Sequence, residues 1–242
     1  MTKIAILLFI ALATMSSAYA QEQKSAWLRA GLNMNYGTLR FEESAPEMLL
    51  DSKMGFHVGI VADIGINNFL YLQPGVMLTS KGAEINDEDE YESGSDTYYS
   101  YEYYKSTISI SAYSIEIPLM LSLKAPLSDG LFLRAGAGPY IGFAFSGEFK
   151  TESESEYCYM NQCDYDSNSS SEDIYPSNKR RMLNGKSFYA GIAVGGGVEI
   201  QSFYIGVNYS HGLTNVLETS SRYEDEVLGY ERSLGITFGY GF

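Results

Sequence analysis

The chain has 242 residues and a formal net charge of −14 at pH 7, and it is rich in Tyr (21), Phe (12) and Gly (24). Such acidity argues against nucleic-acid binding, which depends on a basic surface. The composition favours strands and tight turns over helices, and the length suits a single all-β barrel domain.

The first twenty residues have the pattern of a cleavable signal peptide. Lys3 supplies a positive charge, an apolar stretch covers 4–13, and the string Ala-Tyr-Ala at 18–20 is a small-x-small cleavage site. The apolar stretch is much shorter than the roughly 20 residues that a membrane-spanning helix needs. We therefore predict a signal peptide over 1–20 and one mature domain over 21–242.

Eight later segments alternate bulky apolar residues with small or polar ones, which is the two-residue period of a strand. Their lengths suit tilted strands that cross a membrane. The predicted strands cover 27–37, 54–65, 69–81, 115–124, 131–143, 188–199, 203–210 and 233–242. Upstream of the fourth strand, Ile108 and Ile110 are out of phase, which predicts a bulge near Ala112.

Short and long connections alternate along the chain. Three are tight turns, around 66–68, 126–130 and 201–202, whereas the long ones cover about 38–53, 82–106, 147–186 and 214–229. A membrane barrel has short turns on its periplasmic rim and long loops outside. The predicted fold is therefore all-β: an eight-stranded antiparallel up-and-down transmembrane β-barrel in the bacterial outer membrane, in contact with its lipid.

The two faces of the predicted strands differ in charge. The bulky apolar face is nearly free of charge, as a lipid-facing band must be. The other face carries Gly, Ser and Asn with six scattered charges: Arg29, Asp63, Glu116, Lys124, Arg134 and Glu199. We predict that these six form a salt-bridged plug towards the periplasmic half, because the interior of eight strands is just wide enough for side chains to fill. A gate or ion path is the alternative.

The last predicted strand ends in an aromatic row on its apolar face, formed by Phe238, Tyr240 and Phe242. This ending resembles the signal that the barrel-assembly machinery recognises in outer-membrane proteins. Other aromatic residues near strand ends, Phe132 and Phe203 among them, are expected in girdles at the two membrane interfaces.

Four strings, in this order, resemble the PorT-like outer-membrane β-barrel proteins: LQP at 72–74, IEIPL at 115–119, AGAGPY at 135–140 and YSHGLTN at 209–215. The resemblance covers essentially the whole mature chain. It implies a porin-like barrel, and one branch of that family is linked to protein secretion and gliding machinery. It supplies no catalytic residue.

The remaining chemistry of the sequence is sparse. Cys158 and Cys163 lie in a polar stretch of a protein expected to be exported, so a disulfide between them is predicted. No metal site is predicted there, because no His and no second Cys pair lies nearby. Ser210 and His211 are adjacent in a strand and point to opposite faces. We therefore predict no enzyme and no cofactor.

The predicted external loops are acidic and rich in Tyr and Ser, as at 87–104 and 152–173. Two interpretations stay open: a Tyr-rich surface that binds an unknown ligand, or solvated, partly disordered loops. Clustered carboxylates could also hold Ca²⁺ loosely, although the spacing of an EF-hand is lacking. The expected function is a structural or surface-binding barrel with a plugged lumen. A small-solute channel and an accessory component of a secretion complex are the alternatives.

Overall fold

The computed structural model of the protein describes residues 26–40, 48–95, 98–159, 162–175, 183–219 and 228–242. Within these ranges the regular structure consists of strands. No helix of the described residues is long and apolar enough to cross a membrane. The predicted signal peptide lies outside the described ranges.

Thirteen strands are found among the described residues, eight of which form the wall of a barrel. In chain order they are β1 Ala26–Arg40, β2 Met48–Leu49, β3 Asp51–Ala62, β4 Ile64–Gly65, β5 Leu70–Ser95, β6 Tyr98–Ser128, β7 Leu131–Tyr159, β8 Gln162–Asp173, β9 Leu183–Gly185, β10 Phe188–Ile200, β11 Phe203–Gly212, β12 Leu217–Thr219 and β13 Leu228–Gly241. The wall strands are β1, β3, β5, β6, β7, β10, β11 and β13.

The wall closes on itself. Its antiparallel strands follow the order β10-β11-β13-β1-β3-β5-β6-β7, and β7 pairs back to β10. The first and last wall strands are neighbours, with Trp27 opposite Gly241 and Asn35 opposite Ser233. Closure removes the unpaired edges that hydrocarbon cannot satisfy. The predicted eight-stranded antiparallel barrel is confirmed.

The outer surface of the wall is apolar and the lumen is polar. Leu32 and Ile236 are 59% and 52% exposed, whereas Arg134 and Glu199 on the other face are each 3% exposed. A barrel in water would bury the first pair and expose the second. The observed arrangement is the inverse, which is the one that a lipid environment requires. The prediction of which face points outward is confirmed.

Tight turns close one rim of the barrel, which we call the turn end. The β6–β7 turn contains Gly130 at φ 74°, and the β10–β11 turn contains Gln201 at φ 54°. Glycine adopts such a positive φ without the steric cost that a side chain adds. In the first turn, the amide of Ile66 donates to the carbonyl of Leu70 at 2.8 Å. These are the positions at which the sequence predicts short turns.

The opposite rim, the hairpin end, differs from the prediction. Much of the predicted loops 82–106 and 147–186 is strand: β5 and β6 stay paired as far as Ser95 and Tyr98, and β8 pairs along β7. We call this extension, formed by 84–95, 98–113, 147–159 and 162–173, the hairpin sheet. Apart from Ile85, Ile108, Ile110 and Phe149 near the wall, its strands are polar or rich in Tyr on both faces. Most of the hairpin sheet therefore lacks the hydrophobic alternation that identifies a strand in a sequence.

The register between β6 and β7 changes once near the start of the hairpin sheet. Tyr113 lies opposite Ser146, but Ser114 lies opposite Ala144, so the extra residue, Phe145, belongs to β7. The bulge expected near Ala112 is therefore on the neighbouring strand. Because of it, Ala144 and Gly147 are both buried although they are three residues apart.

Candidate functional site

Four charged side chains meet inside the barrel near the turn end. Arg134 donates from Nη2 to Asp63 at 2.6 Å and from Nε to Glu199 at 2.5 Å. Lys124 donates to the other oxygen of Glu199 at 2.9 Å. These residues come from β6, β7, β10 and the link between β3 and β4, and we call them the lower cluster. Two cations and two carboxylates balance within it.

Aromatic rings pack around the lower cluster. The guanidinium of Arg134 lies 5.1 Å from the Trp27 ring, and the ammonium of Lys124 lies 4.1 Å from the Phe132 ring. Trp27 also donates from Nε1 to Asp63 at 3.0 Å. Cation–ring contacts of this kind are favourable when water is excluded. Phe132 therefore points into the lumen, and its expected place in an outer girdle is wrong.

Arg29 lies beside the lower cluster. Its guanidinium stacks 4.8 Å from the ring of Tyr204. Within the described residues its Nε, which is buried, has no hydrogen-bond partner. Of the six charges that the sequence places on the luminal face, five are thus found at the turn end.

Glu116, the sixth predicted residue, belongs to a second group nearer the hairpin end. It forms an ion pair with Lys81, which also binds Glu231 at 2.7 Å. Tyr189 donates to Glu116 at 2.7 Å and Tyr140 donates to Glu231 at 3.1 Å. We call these five residues the upper cluster. The expectation that Glu116 joins the other five charges is wrong.

The sequence analysis missed Lys81 and Glu231. Lys81 follows Tyr71, Gln73 and Thr79 on the polar face of the third predicted strand, so continuing the alternation would have found it. Glu231 lies two residues before the predicted start of the last strand, whereas β13 begins at Leu228. Strand ends were therefore the weak point of the sequence pattern.

A neutral polar layer separates the two clusters. His57 contacts Asn33 through Nδ1 at 2.5 Å and Thr237 through Nε2 at 2.9 Å. Thr237 in turn donates to Asn208 at 2.7 Å. Both ring nitrogens of this buried histidine are thus occupied by neutral side chains, an arrangement that joins β1, β3, β11 and β13 across the lumen.

Apolar residues cover the lumen at the hairpin end, and we call Leu50, Ile174, Tyr175, Val216 and Leu217 the apolar lid. Leu50 and Leu217 pack with Ala83, and Tyr175 packs against the aromatic rings of the upper cluster. Backbone bonds anchor the lid to the wall, such as Val216 N to Gly229 O at 2.9 Å. Burial raises the pKa of Tyr175 to about 12, which keeps its phenol neutral near pH 7.

Near the tip of the hairpin sheet, a disulfide joins Cys158 and Cys163, which face each other across β7 and β8. Glu156 lies near these sulfur atoms, but two thiols that form a disulfide have no thiolate to offer a metal.

We expect the Cys158→Ser, Cys163→Ser double variant to loosen only the tip of the hairpin sheet. The bridge closes a short loop, so it stabilises by about 2 kcal/mol at most. Limited proteolysis should cut the variant faster between β7 and β8, while the temperature at which the barrel loses its heat-modifiable gel mobility stays unchanged. A large drop in that temperature would show that the tip supports the whole barrel.

The closed wall, apolar exterior and polar, charged lumen are typical of a membrane β-barrel. A family model described as outer membrane protein beta-barrel domain matches residues 19–218. The chain belongs to the outer membrane protein beta-barrel domain family. This beta-barrel domain protein is located in the bacterial outer membrane, and its apolar face contacts the lipid.

Several solved outer membrane proteins resemble this beta-barrel domain in structure. Ail, the attachment invasion locus protein of Yersinia pestis, is 10% identical with a TM-score of 0.32, covering 90% of this chain and 100% of its own. OprG from Pseudomonas aeruginosa is 10% identical with a TM-score of 0.38, covering 91% and 97%. The Pseudomonas putida toluene transporter TodX is 9% identical with a TM-score of 0.24, covering 94% and 91%. No curated protein sequence matches the chain.

Proposed function

We propose that this family member is a closed, non-enzymatic barrel that acts at the cell surface through its hairpin end. The observation that carries the proposal is that ion pairs bridge the lumen at two levels. Arg134 on β7 reaches Asp63 at the end of β3, and Lys81 on β5 reaches Glu231 on β13. In both cases the partners lie three strands apart in the ring of eight.

Opening a continuous path would require both bridges to break. A buried charge that loses its partner costs several kcal/mol because it remains out of water. The aromatic rings beside the clusters and the apolar lid narrow the lumen further, although they leave a cavity of about 90 Å³ between the upper cluster and the lid. We therefore interpret the luminal charges as a structural plug rather than an ion path.

We expect the purified protein to give no steady unit currents in a planar lipid bilayer, because the two bridges occlude the lumen. The Asp63→Ala, Arg134→Ala double variant removes one bridge without changing the net charge. Only the Lys81–Glu231 bridge then occludes the lumen, so brief openings should be more frequent than in the natural chain. Heat-modifiable gel mobility checks that both proteins are folded. Steady single-channel currents from the natural chain would instead favour the small-solute channel.

The hairpin sheet supports the surface-binding part of the proposal. Its strands hold side chains in fixed cross-strand rows, with Tyr103 between Glu90 and Glu156, and Lys105 between Glu88 and Glu154. Tyr103 also donates to Glu88 at 3.1 Å. Tyrosine offers a large contact area at a low entropic cost. An ordered face of this kind favours the interpretation as a binding surface over the one as disordered loops.

A second candidate, an accessory component of a secretion complex, rests on the four strings that resemble PorT-like barrels. Affinity capture through the turn-end rim tests it, and the absence of a reproducible periplasmic partner would count against it. We also propose that Phe238, Tyr240 and Phe242 form the signal for the barrel-assembly machinery. All three are exposed: Phe238 and Tyr240 lie on the outer face of β13, and Phe242 follows its last residue.

A further inference from the structure

A cavity of about 90 Å³ lies between the upper cluster and the apolar lid. Leu50, Ala83, Ala144, Tyr175 and Leu217 contribute to its mostly apolar lining. One buried water needs roughly 10–15 Å³ of such volume and benzene occupies an engineered cavity of about 150 Å³, so the space accommodates several waters, or one small organic molecule that extends through the open side of the cavity. The ion pairs of the upper cluster close it on the side towards the periplasm.

Asn35 lines this cavity and is 2% exposed. Its Nδ2 donates to the carbonyls of Lys53 at 3.2 Å and Ser80 at 3.4 Å, which fixes the orientation of the amide. Its Oδ1 has no hydrogen-bond partner among the described residues. A buried acceptor without a donor is costly, so this oxygen points to a partner that supplies a hydrogen.

Thr38, three residues further along β1, also lines the cavity and is 3% exposed. Its hydroxyl likewise lacks a hydrogen-bond partner within the described ranges. The charged residues of the lining are Lys81, Glu231 and Arg232, and Lys81 is paired with Glu231 at 2.7 Å. With Glu116, which also pairs with Lys81, the charges around the cavity are two cations and two carboxylates, so they balance. The lining therefore combines apolar surface and two unsatisfied neutral polar groups with charges that need no charged ligand.

We infer that this cavity binds a small, uncharged molecule with an aromatic body and one hydroxyl group. The hydroxyl donates to Oδ1 of Asn35, and the body packs against Ala83, Leu50 and the ring of Tyr175. An aromatic body suits a lining that includes tyrosine rings. Because the upper cluster closes the site from below, a ligand would reach it from the cell exterior, past the apolar lid. Its floor is the Lys81–Glu231 bridge, so the site rests on the closed lumen proposed above, but binding of a ligand and conductance are separate measurements.

The probe for this site is 4-fluorophenol, followed by ¹⁹F NMR in detergent micelles of the folded protein. Ala83→Phe fills the cavity, and Ala83→Gly is the matched control that leaves it open. We expect saturable binding to the natural chain and to Ala83→Gly, and at least tenfold weaker binding to Ala83→Phe. Partition into micelles is the same in all three samples, so it cannot produce this difference.

The hydrogen bond is tested by Asn35→Leu with two probes. The variant should weaken the binding of 4-fluorophenol roughly fivefold to tenfold, which is the usual contribution of one hydrogen bond. The binding of fluorobenzene, which has no hydroxyl, should stay unchanged. Equal binding of 4-fluorophenol to the folded natural chain and to the folded Ala83→Phe variant would overturn the proposed ligand site. The cavity would then hold only water. If Ala83→Phe does not fold, crystals of the natural chain are soaked in 4-bromophenol. An anomalous signal of bromine inside the cavity would support the site, and its absence there would overturn it.

Discussion

Replacing Glu199 by alanine should destabilise the folded barrel by about 3–5 kcal/mol. The Glu199 carboxylate accepts from Lys124 at 2.9 Å and from Arg134 at 2.5 Å, and it is 3% exposed. Without it, two buried cations share the single carboxylate of Asp63. Urea unfolding in phospholipid vesicles measures the loss. Trp27, the only tryptophan of the chain, lies against Arg134, so its fluorescence reports on this region directly.

The control for this prediction is Glu152→Ala in the hairpin sheet. Glu152 forms an ion pair with Lys150 at 2.7 Å, and these side chains are 47% and 39% exposed. An exposed pair of this kind contributes about 1 kcal/mol or less. Similar losses for Glu199→Ala and Glu152→Ala would mean that water reaches the lower cluster, and the structural plug would then be the wrong interpretation.

Ile236→Arg should lower the free energy of unfolding by about 2–4 kcal/mol, the range found for a cation on the lipid face near the bilayer midplane. Ile236 lies midway along β13, on the outer face, and pairs with Leu32 of β1 and Val207 of β11. The cost arises because hydrocarbon cannot solvate the guanidinium. The same unfolding experiment in vesicles measures it.

Ser170→Arg is the matched control, because Ser170 is an exposed residue of β8 in the hairpin sheet. A surface substitution away from buried features changes stability by about 0.5 kcal/mol or less. If Ile236→Arg were equally neutral, the outer face of β13 would be meeting water rather than lipid.

The barrel could be predicted because the two-residue period of the sequence indicates two structural properties at once. The alternation of Leu234, Ile236 and Phe238 with Ser233, Gly235 and Thr237 identifies a strand and also separates the two environments on either side of the wall. The number of alternating segments predicted the strand count, and the alternating short and long connections predicted which rim carries the turns. These are local properties, so a single sequence contains them.

The partners inside the lumen could not be predicted in the same way, because they depend on which strands face each other across the ring. The Lys81–Glu231 pair joins residues 150 positions apart in the chain. One error was avoidable: Glu116 and Lys124 are eight residues apart on β6, which is roughly 26 Å along a strand. That distance alone places them at different levels of the lumen.

The hairpin sheet determines what can approach this protein from outside. From Glu84 to Ser95, β5 runs for twelve residues beyond the wall, a rise of up to roughly 40 Å at about 3.3 Å per residue. A large particle such as an antibody or a neighbouring cell contacts the hairpin sheet first and is held away from the rim of the barrel beneath it. Only compounds that diffuse past its base come near the mouth of the barrel.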